Sequence, residues 1–446
     1  MIDAPETRPA MPAFRQAVRY WLRLGCISFG GPAGQIAVMH RELVEQRRWI
    51  SERHFLQAVN FCMLLPGPEA QQLATYLGWR LHGWRGGVAA GGLFVLPSVL
   101  LLYGLSWLFV LGGHLPEVEG IFQGLNAAVV ALVAEAGWKM GRRVLTSPVL
   151  GALAAGSWVA IHFFNVSFVF ILLAAALIGV WSGRLDRAAG GVRDESLLKA
   201  DADGGGLDPE DGFLVLPAIP KVGWRRNAGV VLTGGLLWWI PVLLAGWVIG
   251  WGSTVFLQGL FFSKAAVITF GGAYAVLPYV AQQAVEHYQW LDHGAMMSGL
   301  ALAETTPGPL IMVLQFVGFV GGWNHPGVLS PWLAATAGAL ITTWATFIPS
   351  FLFVFLGAPY VANLHRRPAW SAALAAITAA VVGVIVDLAL VFTRRAVWPE
   401  GALGPDGLVA VLALAAWVAL RSGKVPLPAV LAVCAVVGWA RQAWAG

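Results

Sequence analysis

Ser28-Phe29-Gly30-Gly31-Pro32, followed by Leu65-Pro66-Gly67-Pro68, returns later in the chain as Thr269-Phe270-Gly271-Gly272 and Thr306-Pro307-Gly308-Pro309. Phe29 and Phe270 lie 241 positions apart (270 − 29), and so do Pro66 and Pro307 (307 − 66). The same shift pairs Arg23 with Lys264, Glu45 with Glu286 and Trp49 with Trp290. Further on, Leu96-Pro97-Ser98 answers Ile348-Pro349-Ser350, and Glu135 answers Asp387, at a shift of 252 (349 − 97, 387 − 135). An insertion of eleven residues (252 − 241) near Trp323 to Ser330 accounts for the change. Two half-chains therefore share one plan, interrupted by glycine and proline in corresponding places.

The 446 residues are 58% hydrophobic and 11% charged, with a mean hydropathy of +0.70, against roughly 25% charged in an average soluble domain. Runs such as Gly87 to Gly112 and Trp332 to Gly357 exceed the ~18 apolar residues of a spanning helix. The alternation of an outer-membrane barrel is missing, so the expected class is an all-α polytopic membrane protein. The net charge of +5 is explained by a positive-inside bias rather than by nucleic-acid binding. Cys26, Cys62 and Cys434 fit no zinc, haem or disulfide spacing, and the nine histidines include no H-x-x-x-H pair, so neither a metal nor a cofactor is expected. The 22 tryptophans read as an interfacial belt, with Trp49 and Trp290 as anchors at loop ends. No apolar h-region follows the start, so no cleaved signal peptide is expected.

Four segments follow from these patterns: an N-terminal repeat over 1–182, a polar linker over 183–227, an extra transmembrane helix over 228–253, and a C-terminal repeat over 254–446. In the first half, Lys and Arg fall between Arg41 and Arg53, Arg80 and Arg85, and Lys139 and Arg143. The matching loops of the second half lack them, while Arg366-Arg367 and Arg421 to Lys424 occupy loops that were bare, with Arg394-Arg395 dissenting. This swap predicts inverted repeats, with the helix Val230 to Trp251 supplying the extra crossing. The segment Arg41 to Arg53 reads as a charged loop. Each glycine or proline break reads as a re-entrant hairpin or an unwound span, and paired breaks of this kind point to a substrate site at the repeat interface.

Phe-Gly-Gly-(Pro), a downstream Trp and Pro-Gly-Pro in both halves resemble the chromate ion transporter family, in its long two-repeat form. The resemblance covers all but the linker and the N-terminal tail. It implies a carrier in the bacterial inner membrane that exports chromate and also handles its isostere sulfate. Ala273 stands where Pro32 stands in the first half, which predicts a softer break there.

A tetrahedral dianion in an apolar bundle needs donors and positive charge. Half-helix N-termini at Gly30, Gly31, Gly67, Gly271, Gly272 and Gly308 would supply both. Arg23 and Lys264, each six residues before its Phe, are the side-chain candidates, with snorkelling to the interface as the alternative. Ser28, Thr269, Gln71, Gln72, Gln315, Thr305 and Thr306 are candidate neutral donors. Glu69 and Glu304 are candidate proton carriers or, for Glu69, a carboxylate at a helix start. Glu135 and Asp387 suit a relay or an ion pair that holds the bundle.

The expected function is a secondary carrier moving an oxyanion by alternating access, not an enzyme. Sulfate or other oxyanion uptake is the first alternative, and an enzyme acting on lipid phosphate a remoter one. Absence of a G-x-x-x-x-G-K-[ST] pattern excludes a self-contained ATP-driven pump. Partners are the oxyanion and the bilayer; the oligomeric state stays open, a homodimer included.

Overall fold

A computed structural model describes residues 10–113, 115–188, 213–214, 216, 223–361, 368–398 and 404–445. Most of the polar linker, and Arg366 and Arg367, lie outside the described residues. Every regular element among the described residues is helical, and six helices are long and apolar enough to cross a membrane.

The first repeat opens with α1 (Phe14–Ile27), α2 (Gly31–His40) and α3 (Glu52–Leu64), followed by α4 (Glu69–Gly112). The last is two arms, 69–81 and 84–112, because His82 and Gly83 leave helical geometry and the chain folds back there. Gly78 and Gly86 sit face to face at this bend, where added methyl groups would meet backbone. Then come α5 (Pro116–Val144), α6 (Pro148–Phe164) and α7 (Phe168–Ala188). After the linker, α8 (Trp224–Ile249) is the extra helix.

The second repeat runs α9 (Thr254–Ile268), α10 (Ala273–Ala281), α11 (His293–Thr305), α12 (Val313–Asn324), α13 (Pro331–Gly357), α14 (Pro368–Val397), α15 (Gly407–Ser422) and α16 (Leu427–Ala445). Starts are set by local chemistry: Ser51, Ser147, Ser253, Asp292 and Asp406 each accept a hydrogen bond from the N–H three residues on. The inserted residues open the tight bend at His82 into the loop between α12 and α13.

The short helices α1 to α3 and their mates form hairpins that turn back on themselves. His82 Nε2 lies 2.8 Å from the Pro12 carbonyl and Tyr20 packs edge-on against Trp49, so α1 begins where the first arm of α4 ends. In the second repeat Thr254 donates to the His325 carbonyl at 2.8 Å, and His325 Nε2 lies 2.8 Å from the Gln289 carbonyl. Both hairpins of a repeat therefore enter and leave at one face.

Repeat mates pack antiparallel, which establishes the inversion. Along α4 and α13, Gly87 meets Phe355, Gly91 meets Phe351 and Tyr103 Oη lies 2.8 Å from Thr336 Oγ1. Along α5 and α14, Gly137 faces Ile385 and Gly141 faces Val382. In each pair the numbers rise on one helix as they fall on the other.

Three local expectations need correction. Arg41 to Arg53 is a loop only over 47–51: Arg41–Gln46 continues α2 as a π-helical turn, and Gln282–His287 does the same after α10. Each turn ends in a non-glycine residue at positive φ, Arg48 and Gln289, both at 53°. Trp49 and Trp290 are buried within the protein rather than exposed, packed under Arg47 and Tyr20 and under Tyr288 and Phe262. The second glycine break is no softer than the first, because Gly271 (φ 83°) and Gly272 (φ 91°) interrupt the chain for four residues without a proline.

Candidate functional site

The four hairpin tips meet, and they meet crosswise. Gly67 N–H of the first Pro-Gly-Pro donates to the Thr269 carbonyl at 2.8 Å, and Gly308 N–H of the second donates to the Ser28 carbonyl at 2.7 Å. The donors are repeat mates and so are the acceptors. Each Pro-Gly-Pro turn is thus pinned to the residue before the Phe-Gly-Gly break of the other repeat. Gly67 (φ 123°) and Gly308 (φ 113°) hold conformations that side-chain-bearing residues avoid. Flanking prolines cannot donate, so these glycine N–H groups are the donors each turn has to offer.

The tips place helix ends together. The outgoing helices α2, α10 and the first arm of α4 start there, with free N–H groups and the positive end of the helix dipole. Incoming helices bring carbonyl ends, and the crossed bonds occupy one carbonyl on each side. The neighbourhood is rich in buried polar atoms with unused capacity. Ser28 Oγ, Gln35 Oε1, Gln71 Oε1 and Gln72 Oε1 have no hydrogen-bond partner among the described residues. A buried group left so costs about 1–3 kcal/mol, which a polar ligand would offset.

Sequence candidates divide by position. Ser28, Thr269, Gly67 and Gly308 form the crossed bonds. Gly31 lies beside the Tyr274 ring and Gly272 beside the Glu69 carboxyl, where a Cβ would be 3.6 Å from Oε1, while Gly271 faces Thr378. Gly30 caps α2 at φ 89°. Glu304 is buried and accepts from Tyr274 Oη at 2.5 Å. Gln71 donates to Thr75 and Gln72 to the Pro66 carbonyl. Thr305 and Thr306 donate to carbonyls of their own helix, and Gln315 donates to the Val99 carbonyl.

The cationic candidates, and Glu135 and Asp387, lie elsewhere. Arg23 is exposed, and with Arg15, Arg19, Arg47, Tyr20 and Gln16 it lines an open pocket of about 420 Å³. Lys264 is exposed in the repeat-related pocket of about 500 Å³, over the Tyr279 ring and among Trp238, Trp239, Phe261 and Tyr288. Glu135 pairs with Lys139 at 3.5 Å, and Asp387 binds His162 of α6 at 2.7 Å, tying α14 to the first repeat. Among the described residues no cluster of His, Cys, Asp or Glu could hold a metal ion.

Two contributors escaped the sequence reading. Gln35, whose Nε2 donates to the Gly308 carbonyl, is the one polar side chain of α2 before the terminal His40, and that position was its signal. Tyr274 stands where the first repeat has Ala33, so the repeat comparison gave no hint of it.

Residues 15–180 and 256–439 match the family model described as Chromate transporter, one segment per repeat. A chromate transport protein of Pseudomonas aeruginosa is 31% identical over 97% of this chain and 94% of its own length. One from Cupriavidus metallidurans is 30% identical over 95% of this chain and 92% of its own. A probable chromate transport protein of Synechococcus elongatus is 27% identical over 98% of both. No solved structure matches. Two crossed repeats, each matching the family separately, identify the chain as a member of the chromate transporter family.

Proposed function

We propose that this protein is a secondary carrier that exports chromate across the bacterial inner membrane, binding the dianion at the crossed hairpin tips. The observation that carries the reading is the pair of reciprocal bonds, Gly67 to Thr269 and Gly308 to Ser28. They make the centre a joint product of both repeats, so a rocking of one repeat against the other opens it to either face in turn. Helix N-termini and neutral donors there stabilise an anion without a buried cation that would hold it permanently.

Lys and Arg near the start of α1, the α2–α3 connection and the bend at His82 support a cytoplasmic position for the first repeat's hairpins. A dianion leaving a negative-inside cell moves downhill by roughly 2.3 kcal/mol per charge per 100 mV. The carboxyl groups of Glu69 and Glu304 border the same tips, and a dianion beside them favours their neutral forms by simple repulsion. That gives proton coupling a structural basis without making it obligatory.

The test is flux of radiolabelled chromate and sulfate in liposomes holding the purified full chain, with potential and pH gradient imposed separately. Saturable chromate flux driven by potential supports the proposal. Flux of sulfate alone would reassign the substrate, and flux of neither would refute the oxyanion carrier.

A further inference from the structure

The Pro97-Ser98 and Pro349-Ser350 dipeptides recur at the 252 shift, and nothing in the transport reading above uses them. Ser98 lies on the second arm of α4 and Ser350 on α13, helices that pass the hairpin tips. Both side chains are buried, at 0% and 1% exposure, and neither Oγ has a hydrogen-bond partner among the described residues.

Most helical hydroxyls of this fold are paired, with Thr342 another exception. A serine or threonine inside a helix can donate to the carbonyl four residues back. Thr75, Ser106, Thr336, Thr343, Thr346 and Thr378 all do so here. Ser98 and Ser350 do not. Each instead presses against the glycine of the other repeat's Pro-Gly-Pro turn. A methyl group on Gly308 would lie 2.7 Å from Ser98 Cβ and 3.0 Å from its Oγ, and one on Gly67 would lie 2.5 Å from Ser350 Oγ. Close approach of glycine thus puts each free hydroxyl at the tip where the crossed bond is made.

We infer that Ser98 and Ser350 are a repeat-related pair of oxyanion donors, each completing the half-site built on the other repeat's Pro-Gly-Pro turn. The ligand class is a tetrahedral oxyanion, whose oxygens accept from hydroxyls approaching from two sides. The inference rests on the tip site proposed above and deepens it: the centre would draw ligands from α4 and α13 as well as from the hairpins. Both helices carry a proline one residue earlier, which removes a backbone hydrogen bond and frees local geometry beside the serine.

The experiment measures chromate affinity by calorimetry on the purified full chain, together with the melting temperature without anion, for wild type, Ser98→Ala, Ser350→Ala, the double variant and Ser98→Cys. Loss of a hydrogen bond to a charged ligand should raise Kd about tenfold or more in each alanine variant, with a larger rise in the double variant. Cysteine, a weak donor of similar size, should fall between. Anion-free melting temperatures should stay level or rise, since removal of an unpaired buried hydroxyl relieves the fold. Lower melting temperatures with Kd unchanged would overturn the inference and make the serines structural. Failure of wild type to bind chromate would overturn the transport proposal and this inference with it, whereas wild-type binding that survives in the double variant overturns this inference alone.

Discussion

The hairpin tips and the pockets that flank them follow the same two-fold relation and treat it in opposite ways. At the tips the symmetry survives in the crossed bonds, where Gly67 and Gly308, Ser28 and Thr269, Ser98 and Ser350 occupy equivalent places, although the Gln35 and Tyr274 bonds have no repeat mates. In the pockets it survives in shape only. Arg15, Arg19, Arg23 and Arg47 line the first, whereas Lys264 stands among tryptophan, tyrosine and phenylalanine in the second. A centre that serves both faces has reason to remain symmetric, because the same contacts must form when either side opens. In the transport reading proposed above, an entrance and an exit have no such reason. In that reading the cationic approach concentrates anions.

The largest effect should come from breaking the symmetric part. Gly67→Ala or Gly308→Ala forces a Cβ into a positive-φ position and within 3 Å of the facing serine. Displacing the site by an ångström should cost about 100-fold in transport rate. Flux measured on protein that remains monodisperse in detergent checks this, and near wild-type flux from both variants would remove the crossed bonds from the site.

A smaller effect should come from levelling the asymmetric part. Neutralising Arg15, Arg19 and Arg23 together should lower chromate flux at limiting concentration about tenfold and flatten its dependence on ionic strength, in keeping with steering. Lys264→Gln should change flux only about twofold, since one exposed lysine focuses little field. Equal losses from both changes would make the pockets functionally equivalent and sink the entrance-and-exit distinction.

The smallest effect concerns peripheral helices. Ser147 caps α6 with a neutral hydroxyl, while Asp406 caps α15 with a carboxylate that also binds Arg441 of α16. Partial burial pushes the Asp406 carboxyl up, but hydrogen bonds from Arg441 and the Val409 N–H outweigh it and hold the group below the usual carboxylate range. A depressed folded value means stability that is present above the unfolded value and lost as pH falls through the folded one. Asp406→Asn should therefore cost about 1 kcal/mol at neutral pH and nothing measurable once Asp406 itself is protonated. Thermal melts across that range would show a constant difference if the ion pair contributed nothing.

Much of this was legible before any coordinates. The duplicated Phe-Gly-Gly and Pro-Gly-Pro breaks, the swap of basic loops and the unmatched helix between the halves each constrain backbone or topology, and helices with glycine and proline breaks leave little freedom there. Helix starts at Ser51, Ser253 and Asp292 rest on equally local signals, which the sequence reading did not use. Side-chain placement was less accessible. Arg23 and Lys264 stood out because cations in apolar helices are rare, yet α1 and α9 each keep one face exposed that hydropathy alone does not identify. The crossing of the tips was invisible because it depends on how two repeats dock, and the π-helical turns because no residue type encodes one extra residue per turn. Ser98 and Ser350 were visible as a repeated motif, but only their missing partners gave them a role.

The most direct test of export through the crossed centre uses inside-out membrane vesicles expressing the full chain, with an interior-positive potential and no pH gradient. Radiolabelled chromate should accumulate in proportion to the potential, and Gly308→Ala should abolish accumulation while Lys264→Gln retains it. Accumulation that ignores the potential, or that persists in Gly308→Ala, would contradict an electrogenic exporter whose site lies where the repeats cross.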